Sequence, residues 1–116
     1  MKMKIYETIK GILRKYRTYN ENEIDYENAK IILKNNPEAI LLDVRSPQEY
    51  KEGHLPKSIN IPLYDISTKI ENEIQNKETT IIAYCQSGNR SRKAVEILLK
   101  NGYKNLYSIE GGLDNI

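Results

Sequence analysis

The sequence is poor in several residue types, and each shortage excludes a class of protein. Its 116 residues include no Phe and no Trp, so Ile, Leu and nine Tyr must build the core. The only cysteine, Cys85, cannot form an internal disulfide, which suits a reducing compartment such as the cytoplasm. One Cys and one His are too few soft ligands for a structural zinc site. We therefore expect no metal and no other cofactor.

Long hydrophobic runs are also missing. No stretch approaches the roughly 20 apolar residues that cross a bilayer, and charged residues interrupt the N-terminal apolar positions. The net charge of +2 divides into +4 over residues 1–22 and −2 over residues 23–116. Because the larger part is nearly neutral, we predict no nucleic-acid partner. We also predict no membrane span and a cytoplasmic location.

Residues 1–22 form a separate unit in the sequence. Their apolar residues recur at helical spacing between Lys and Arg, which predicts a basic amphipathic helix followed by a polar connection: Ile5, Ile9, Ile12, Leu13 and Tyr16. This helix could pack on the domain, pair with a second copy, or contact a partner or an anionic lipid surface. The narrow apolar stripe favours packing on the domain. We expect a monomer or a weak dimer.

Residues 23–116 alternate between strand and helix patterns. The predicted strands lie around Ile24 and at residues 39–44, 58–61, 80–84 and 106–109. The predicted helices, two of which begin after the N-caps Asp25 and Ser46, cover residues 26–34, 47–52, 65–76 and 90–101. The strands read as buried on both faces, so the alternation predicts a three-layer α/β domain with a central parallel sheet flanked by helices.

The most informative segment surrounds Cys85. Residues 84–91 read Tyr-Cys-Gln-Ser-Gly-Asn-Arg-Ser and join a predicted buried strand to a predicted helix. Small residues there let the backbone curl, so that N–H groups converge at the positive end of the helix dipole. Such a site binds anions and stabilises a thiolate, which makes Cys85 a candidate nucleophile. Arg90 adds a planar fork of donors for an oxyanion, and Ser91 is predicted to cap the helix.

Arg45 follows another predicted strand. Ligands of parallel sheets collect beyond the carboxyl ends of the strands, so we expect Arg45 near Cys85. Two roles are open for Arg45, because it could line the pocket or pair with Asp43. His54 is interpreted as a structural hydrogen-bonding residue, and Glu49 as part of a solvated helix face.

Four segments, in the same order, resemble those of the single-domain rhodaneses: residues 42–50, 53–62, 84–91 and 109–113. The resemblance as a whole covers about residues 24–115. The resemblance implies a rhodanese-like fold over residues 23–116. Two departures are visible. Lys57 and Ser58 replace the usual Gly-Ala, so non-glycine residues must make that turn. The closing Trp is absent, so we expect looser packing at the C-terminus.

The resemblance also implies a sulfurtransferase activity and a set of site residues. Cys85 would take the outer sulfur of an anionic donor such as thiosulfate and carry it as a persulfide. An external thiol, a thioredoxin-like partner or cyanide would then accept the sulfur, because the sequence has no second cysteine. The residues that would bind the substrate are Gln86, Ser87, Gly88, Asn89, Arg90 and Arg45.

Three alternatives remain at this point. A cysteine-dependent phosphatase or arsenate reductase of related fold needs five residues between the Cys and the Arg, whereas four separate Cys85 from Arg90. A non-enzymatic interaction domain of the same fold typically lacks the cysteine that is present here. A persulfide relay, which passes sulfur to a protein partner and turns thiosulfate over poorly, has rhodanese chemistry in a different physiological role and is left open by the sequence.

Overall fold

The computed structural model describes residues 22–116, so the predicted N-terminal helix lies outside the described residues. The strands are β1 (Glu23–Ile24), β2 (Ile40–Asp43), β3 (Ile59–Asn60), β4 (Thr80–Tyr84) and β5 (Asn105–Ile109). The helices are α1 (Tyr26–Asn35), α2 (Pro47–Glu52), α3 (Ile66–Glu73) and α4 (Asn89–Lys100), and 3-10 turns cover Leu63–Asp65 and Gly112–Asn115. Each strand and helix predicted within these residues is present, and the differences lie at the ends of the elements.

The five strands form one sheet in the order β1-β5-β4-β2-β3, and every neighbouring pair is parallel. Strand β4 lies at the centre, between β5 and β2. Asp43 at the end of β2 is opposite Tyr84 at the end of β4. The predicted fold class is therefore confirmed, and the loops that carry Arg45 and Cys85 leave the sheet side by side.

Helices cover both faces of the sheet. Ile81, Ala83 and Cys85 point to one face, where they join the buried residues of α3 and α4. Ile82 and Tyr84 point to the other face and pack with Ala29 of α1 and with its half-buried neighbours. Because side chains alternate along a strand, β4 contributes to both cores at once. The nucleophile candidate therefore follows directly from the central strand, which packs into the cores on both faces of the sheet.

Local sequence signals account for where α1 and α2 begin. The Asp25 side chain accepts a hydrogen bond from the Asn28 N–H at 2.8 Å, which caps α1 as predicted. Ser46 and Glu49 form a reciprocal capping box at the start of α2. The turn that lacks its usual glycine is made by Lys57 with a positive φ of 65°. Within residues 22–116, no helix is long and apolar enough to cross a membrane.

Candidate active site

The loop after β4 brings backbone N–H groups to the sulfur of Cys85. Gly88, with φ of 99°, turns the chain into α4, a conformation that glycine adopts at little cost. The Gly88 N–H and the Ser91 N–H both donate to Cys85 Sγ, over N···S distances of 3.1 and 3.4 Å. Cys85 itself is fully buried. Two amides at the first turn of a helix thus face the sulfur, an arrangement that stabilises a thiolate.

The Ser91 side chain also contacts the sulfur. The Cys85 thiol donates to Ser91 Oγ at 3.7 Å, and Ser91 Oγ donates to the Gly88 carbonyl at 3.1 Å. Ser108 Oγ on β5 lies 2.7 Å from Ser91 Oγ. The prediction that Ser91 caps α4 is wrong, because the N-cap is Gly88 and no side chain caps it. Ser91 is instead a buried hydroxyl inside the loop, since α4 begins at Asn89.

A 3-10 turn at Gly112–Asn115 holds the other side of the loop. The Leu113 N–H donates to the Cys85 carbonyl at 3.0 Å, and the Asp114 N–H donates to the Gln86 carbonyl at 2.9 Å. Gln86 Nε2 donates to Asp114 Oδ1 at 2.6 Å. The expected loose packing after the closing glycines is therefore wrong for this turn, because backbone hydrogen bonds attach it to the loop without a Trp.

Gly112 makes this attachment possible. Its φ is 59°, and a Cβ on it would overlap the Cys85 carbonyl oxygen and lie 2.7 Å from the Gln86 carbonyl carbon. Only glycine fits this position, because it has no side chain to overlap with the loop and adopts a positive φ without strain. The two loop carbonyls are consequently bound by the turn, and the sulfur faces the loop amides instead.

Arg90 is held by Glu49, which lies 41 residues earlier on α2. Arg90 Nη1 and Nη2 donate to the two carboxylate oxygens of Glu49 at 2.7 and 3.0 Å. The Arg90 guanidinium lowers the pKa of Glu49 to about 2, and the Glu49 carboxylate in turn raises the pKa of Arg90. The interpretation of Glu49 as a solvated helix face is thus wrong. Sequence reasoning missed the role of Glu49, which is the ion-pair partner of Arg90 in the loop.

The other loop residues that the sequence predicts differ in their exposure to solvent. Gln86, Ser87 and Asn89 are exposed, whereas Gly88 is buried. Asn89 Oδ1 accepts a hydrogen bond from Arg92 Nη2, and Arg92 Nη1 donates to Glu23 at 3.0 Å. The start of α4 is therefore tied to β1.

Arg45 is buried, and its guanidinium pairs with Asp43. Arg45 Nε and Nη2 donate to the Asp43 carboxylate at distances between 2.7 and 3.1 Å. Arg45 Nη2 also donates to the Gly53 carbonyl at 2.6 Å. Hydrogen bonding to Asp43 raises the pKa of Arg45. Of the two roles that the sequence left open, the pairing with Asp43 is the one present, and this residue ties the end of β2 to the end of α2.

His54 lies at the surface after α2. Its Nδ1 is 2.8 Å from the Tyr50 carbonyl oxygen, and its ring stacks on that of Tyr50 with centroids 3.7 Å apart. These contacts agree with the structural role expected for His54.

An open groove of about 410 Å³ lies beside the loop, and Arg90 forms part of its wall. The other wall residues are four apolar or aromatic side chains, two serines and a lysine: Val44, Leu63, Tyr64, Ile97, Ser46, Ser67 and Lys93. Among residues 22–116, no three His, Cys, Asp or Glu side chains cluster in a way that could hold a metal ion. The groove thus offers positive charge and apolar surface at the edge of the loop.

Residues 26–116 match the family described as rhodanese-like domain. The chain belongs to this family. A sulfurtransferase of Allochromatium vinosum is 33% identical over 92 residues, which cover 79% of this chain and 84% of that protein. The thiosulfate sulfurtransferase PspE of Escherichia coli is 37% identical over 75 residues, which cover 65% of this chain and 71% of that protein. These relatives identify residues 26–116 as a rhodanese-type sulfurtransferase domain.

Solved structures share the fold. The human single-domain sulfurtransferase TSTD1 superimposes with a TM-score of 0.71 at 21% identity, over 81% of this chain and 93% of that one.

A tRNA uridine(34) hydroxylase of Photorhabdus laumondii is 35% identical over 82 residues, but this chain spans only 23% of its length. The rhodanese domain therefore also occurs as one part of longer proteins.

Proposed function

We propose that this chain transfers sulfane sulfur from an anionic donor such as thiosulfate to a thiol or cyanide, through a persulfide on Cys85. The observation that carries the proposal is the pair of amide hydrogen bonds, from Gly88 and Ser91, to Cys85 Sγ. A sulfur that accepts two N–H bonds at a helix N-terminus is suited to the anionic form that attacks a donor. The sulfurtransferases among the relatives support the same reaction class.

The reaction divides into two half-reactions. The Cys85 thiolate forms a bond to the outer sulfur of thiosulfate, while the sulfur–sulfur bond of thiosulfate breaks and sulfite leaves with the electron pair. A thiolate or cyanide then bonds to the outer sulfur of the persulfide, and the Cys85 thiolate leaves with the electron pair. Covalent catalysis of this kind gives ping-pong kinetics. The sequence has no second cysteine to accept the sulfur, so the acceptor is an external thiol or a thioredoxin-like protein.

The roles proposed for the loop residues follow from their placement. The amides of Gly88 and Ser91 stabilise the sulfur, whereas the exposed residues Gln86, Ser87 and Asn89 border the path of the donor. Arg90 lies in the groove wall, where its guanidinium is paired with Glu49. We leave Arg45 out of the proposed substrate-binding residues, because it is 4% exposed and its guanidinium is bound to Asp43 and Gly53.

The site supports the alternative functions to different degrees. Phosphoryl transfer is less well supported, because Glu49 occupies both terminal nitrogens of the loop arginine that a phosphate would need. A relay of sulfur to a protein partner uses the same chemistry on Cys85 and differs only in the acceptor. The cytoplasmic location, the monomeric or weakly dimeric state and the absence of a nucleic-acid partner stay predictions.

The proposal is tested by the intact mass of the protein before and after thiosulfate, and again after cyanide. We expect a gain of one sulfur atom that cyanide removes, with thiocyanate formed in equal amount. The Cys85→Ser variant should gain no sulfur and should lose all turnover while keeping its circular-dichroism spectrum, because a serine hydroxyl is not a thiolate nucleophile. Turnover of the folded serine variant near the wild-type rate would refute the assignment of Cys85.

A further inference from the structure

The ion pair between Glu49 and Arg90 has no part in the sulfur-transfer steps, yet it is built into the site. Glu49 is fixed from two directions, since its Oε1 accepts from Arg90 Nη1 at 2.7 Å and from the Ser46 N–H at 3.1 Å. Its Oε2 accepts from Arg90 Nη2 at 3.0 Å. A carboxylate that is bidentate to a guanidinium and anchored by a helix cap has a single orientation.

The pair changes the charge that a donor meets. Arg90 lines the groove beside the loop, and it lies two residues from Gly88, whose N–H binds the sulfur. The side chains of Arg90 and Glu49 are both partly exposed, at 38% and 34%, so an approaching anion is affected by both charges. The attraction of the guanidinium is therefore largely cancelled by the carboxylate. Since Coulomb energy scales with the charge of the ligand, this cancellation matters most for a dianion.

We propose that Glu49 is a specificity-determining residue, which neutralises Arg90 and thereby removes most of the advantage that the guanidinium alone would give doubly charged sulfur donors over singly charged ones. The proposal rests on the proposed sulfur transfer through Cys85 and narrows its substrate class. The donor class then includes organic monoanions that carry sulfane sulfur, because the second charge of thiosulfate gains little at the paired Arg90. The apolar wall of the groove, formed in part by Leu63, Tyr64 and Ile97, suits the organic part of such a donor.

The test uses Glu49→Gln with Glu52→Gln as its matched control. Glutamine keeps an acceptor for the Ser46 amide, so the capping box of α2 is retained while the negative charge is lost. Glu52 is exposed on the same helix, so its variant makes the same charge change away from the Arg90 ion pair. The two donors are thiosulfate, a dianion, and methanethiosulfonate, a monoanion. Each gives its outer sulfur to Cys85, and sulfite or methanesulfinate leaves with the electron pair.

The expected result is a split between the donors. In Glu49→Gln, the KM for thiosulfate should fall about tenfold and that for methanethiosulfonate about threefold, because the removed repulsion is proportional to donor charge. Competitive inhibition by sulfate should strengthen about as much as thiosulfate binding does. In Glu52→Gln, each of these values should stay within about twofold of wild type, because an exposed charge outside the ion pair is screened by salt.

Two results would overturn the proposal. The first is an unchanged KM for both donors in Glu49→Gln. The second is a common rise in KM or a fall in kcat for both donors, which would make Glu49 a residue that positions Arg90 for catalysis. Sulfate binding to Cys85→Ser, with and without Glu49→Gln, is measured by titration calorimetry and needs no turnover. Sulfate should bind about tenfold more tightly when Glu49 is replaced. Equal binding overturns the inference even if Cys85 transfers no sulfur.

Discussion

The two sides of the Cys85 loop are held in different ways. On one side, the turn at Gly112–Asn115 uses backbone hydrogen bonds to the Cys85 and Gln86 carbonyls, with Gly112 packed against them. On the other side, Arg90 is held by one charged side chain, Glu49, in a pair that is about one-third exposed to solvent. The first contact leaves no room for a side chain, and the second faces an open groove.

This difference separates two tasks of the site. The side held by backbone fixes the direction of the loop amides, which do not depend on side-chain identity apart from the glycine. The side held by charge sets the potential at the groove and is changed by single substitutions or by salt. We therefore expect variants of the first side to affect folding and activity together, and variants of the second side to affect donor affinity alone.

Gly112→Ala should have the largest effect. A Cβ at this position must displace the Cys85 or Gln86 carbonyl, and it also imposes a positive φ on a residue with a side chain. We expect a loss of about 3 kcal/mol or more in the free energy of unfolding, measured by urea denaturation, and a loss of most turnover.

Gly102→Ala is the matched control for that variant. Gly102 also has a positive φ, of 92°, but the nearest atom to a Cβ there is Lys77 Cδ at 4.0 Å. We expect it to cost only about 1 to 2 kcal/mol, with turnover retained, because it adds the backbone strain without the overlap. Equal losses in the two variants would show that the close contact with the loop contributes nothing.

Arg90→Ala should have the next largest effect and only on donor affinity. It leaves the Glu49 carboxylate uncompensated beside the groove, so the KM for thiosulfate should rise about tenfold. The free energy of unfolding should change by less than about 1 kcal/mol, because exposed ion pairs contribute little. The double variant with Glu49→Gln removes both charges and should recover most of the lost affinity. Failure of the second substitution to recover any affinity would contradict the assignment of the KM change to Glu49.

The smallest effect concerns pH. The pKa of Glu49 is lowered from 4.5 to about 2 in the folded protein, chiefly by Arg90. A lowered carboxyl pKa stabilises the fold above the unfolded value, and this contribution is lost as pH falls from about 4.5 to 2. Arg90→Ala should make this loss of stability at low pH smaller, because Glu49 then lacks the partner that lowers its pKa. We expect the difference in unfolding free energy between wild type and Arg90→Ala to shrink between pH 6 and pH 2.5, by less than about 1 kcal/mol.

The sequence was sufficient for features that depend on neighbouring residues. The cap at Asp25, the capping box at Ser46 and the strand Thr80–Tyr84 are encoded within a few residues, and each was predicted correctly. The direction of the parallel strands then placed Arg45 and Cys85 at one edge of the sheet. These predictions needed only helix capping, strand patterning and the general behaviour of parallel sheets.

The contacts that set the charge and the rigidity of the site were not predictable in the same way. Glu49 and Arg90 are 41 residues apart, and nothing in the local pattern of α2 distinguishes Glu49 from Glu52. The local pattern favours Ser91 as a helix cap, because its burial is not visible there. That burial depends on Ser108, which belongs to a different strand. The turn after Gly112 was expected to be loose because a missing Trp is visible in a sequence, whereas backbone hydrogen bonds are not.

The hydrogen bond between Gln86 and Asp114 joins residues that are 28 positions apart, so the loop is synthesised well before the turn that anchors it. A growing chain therefore acquires its nucleophile, and all of the central strand, before it acquires the amides of Leu113 and Asp114 that bind the loop carbonyls. The Cys85 and Gln86 carbonyls therefore gain these hydrogen-bond partners only when the last residues of the domain are in place, so the final form of the loop depends on the end of the fold and not on its own segment alone.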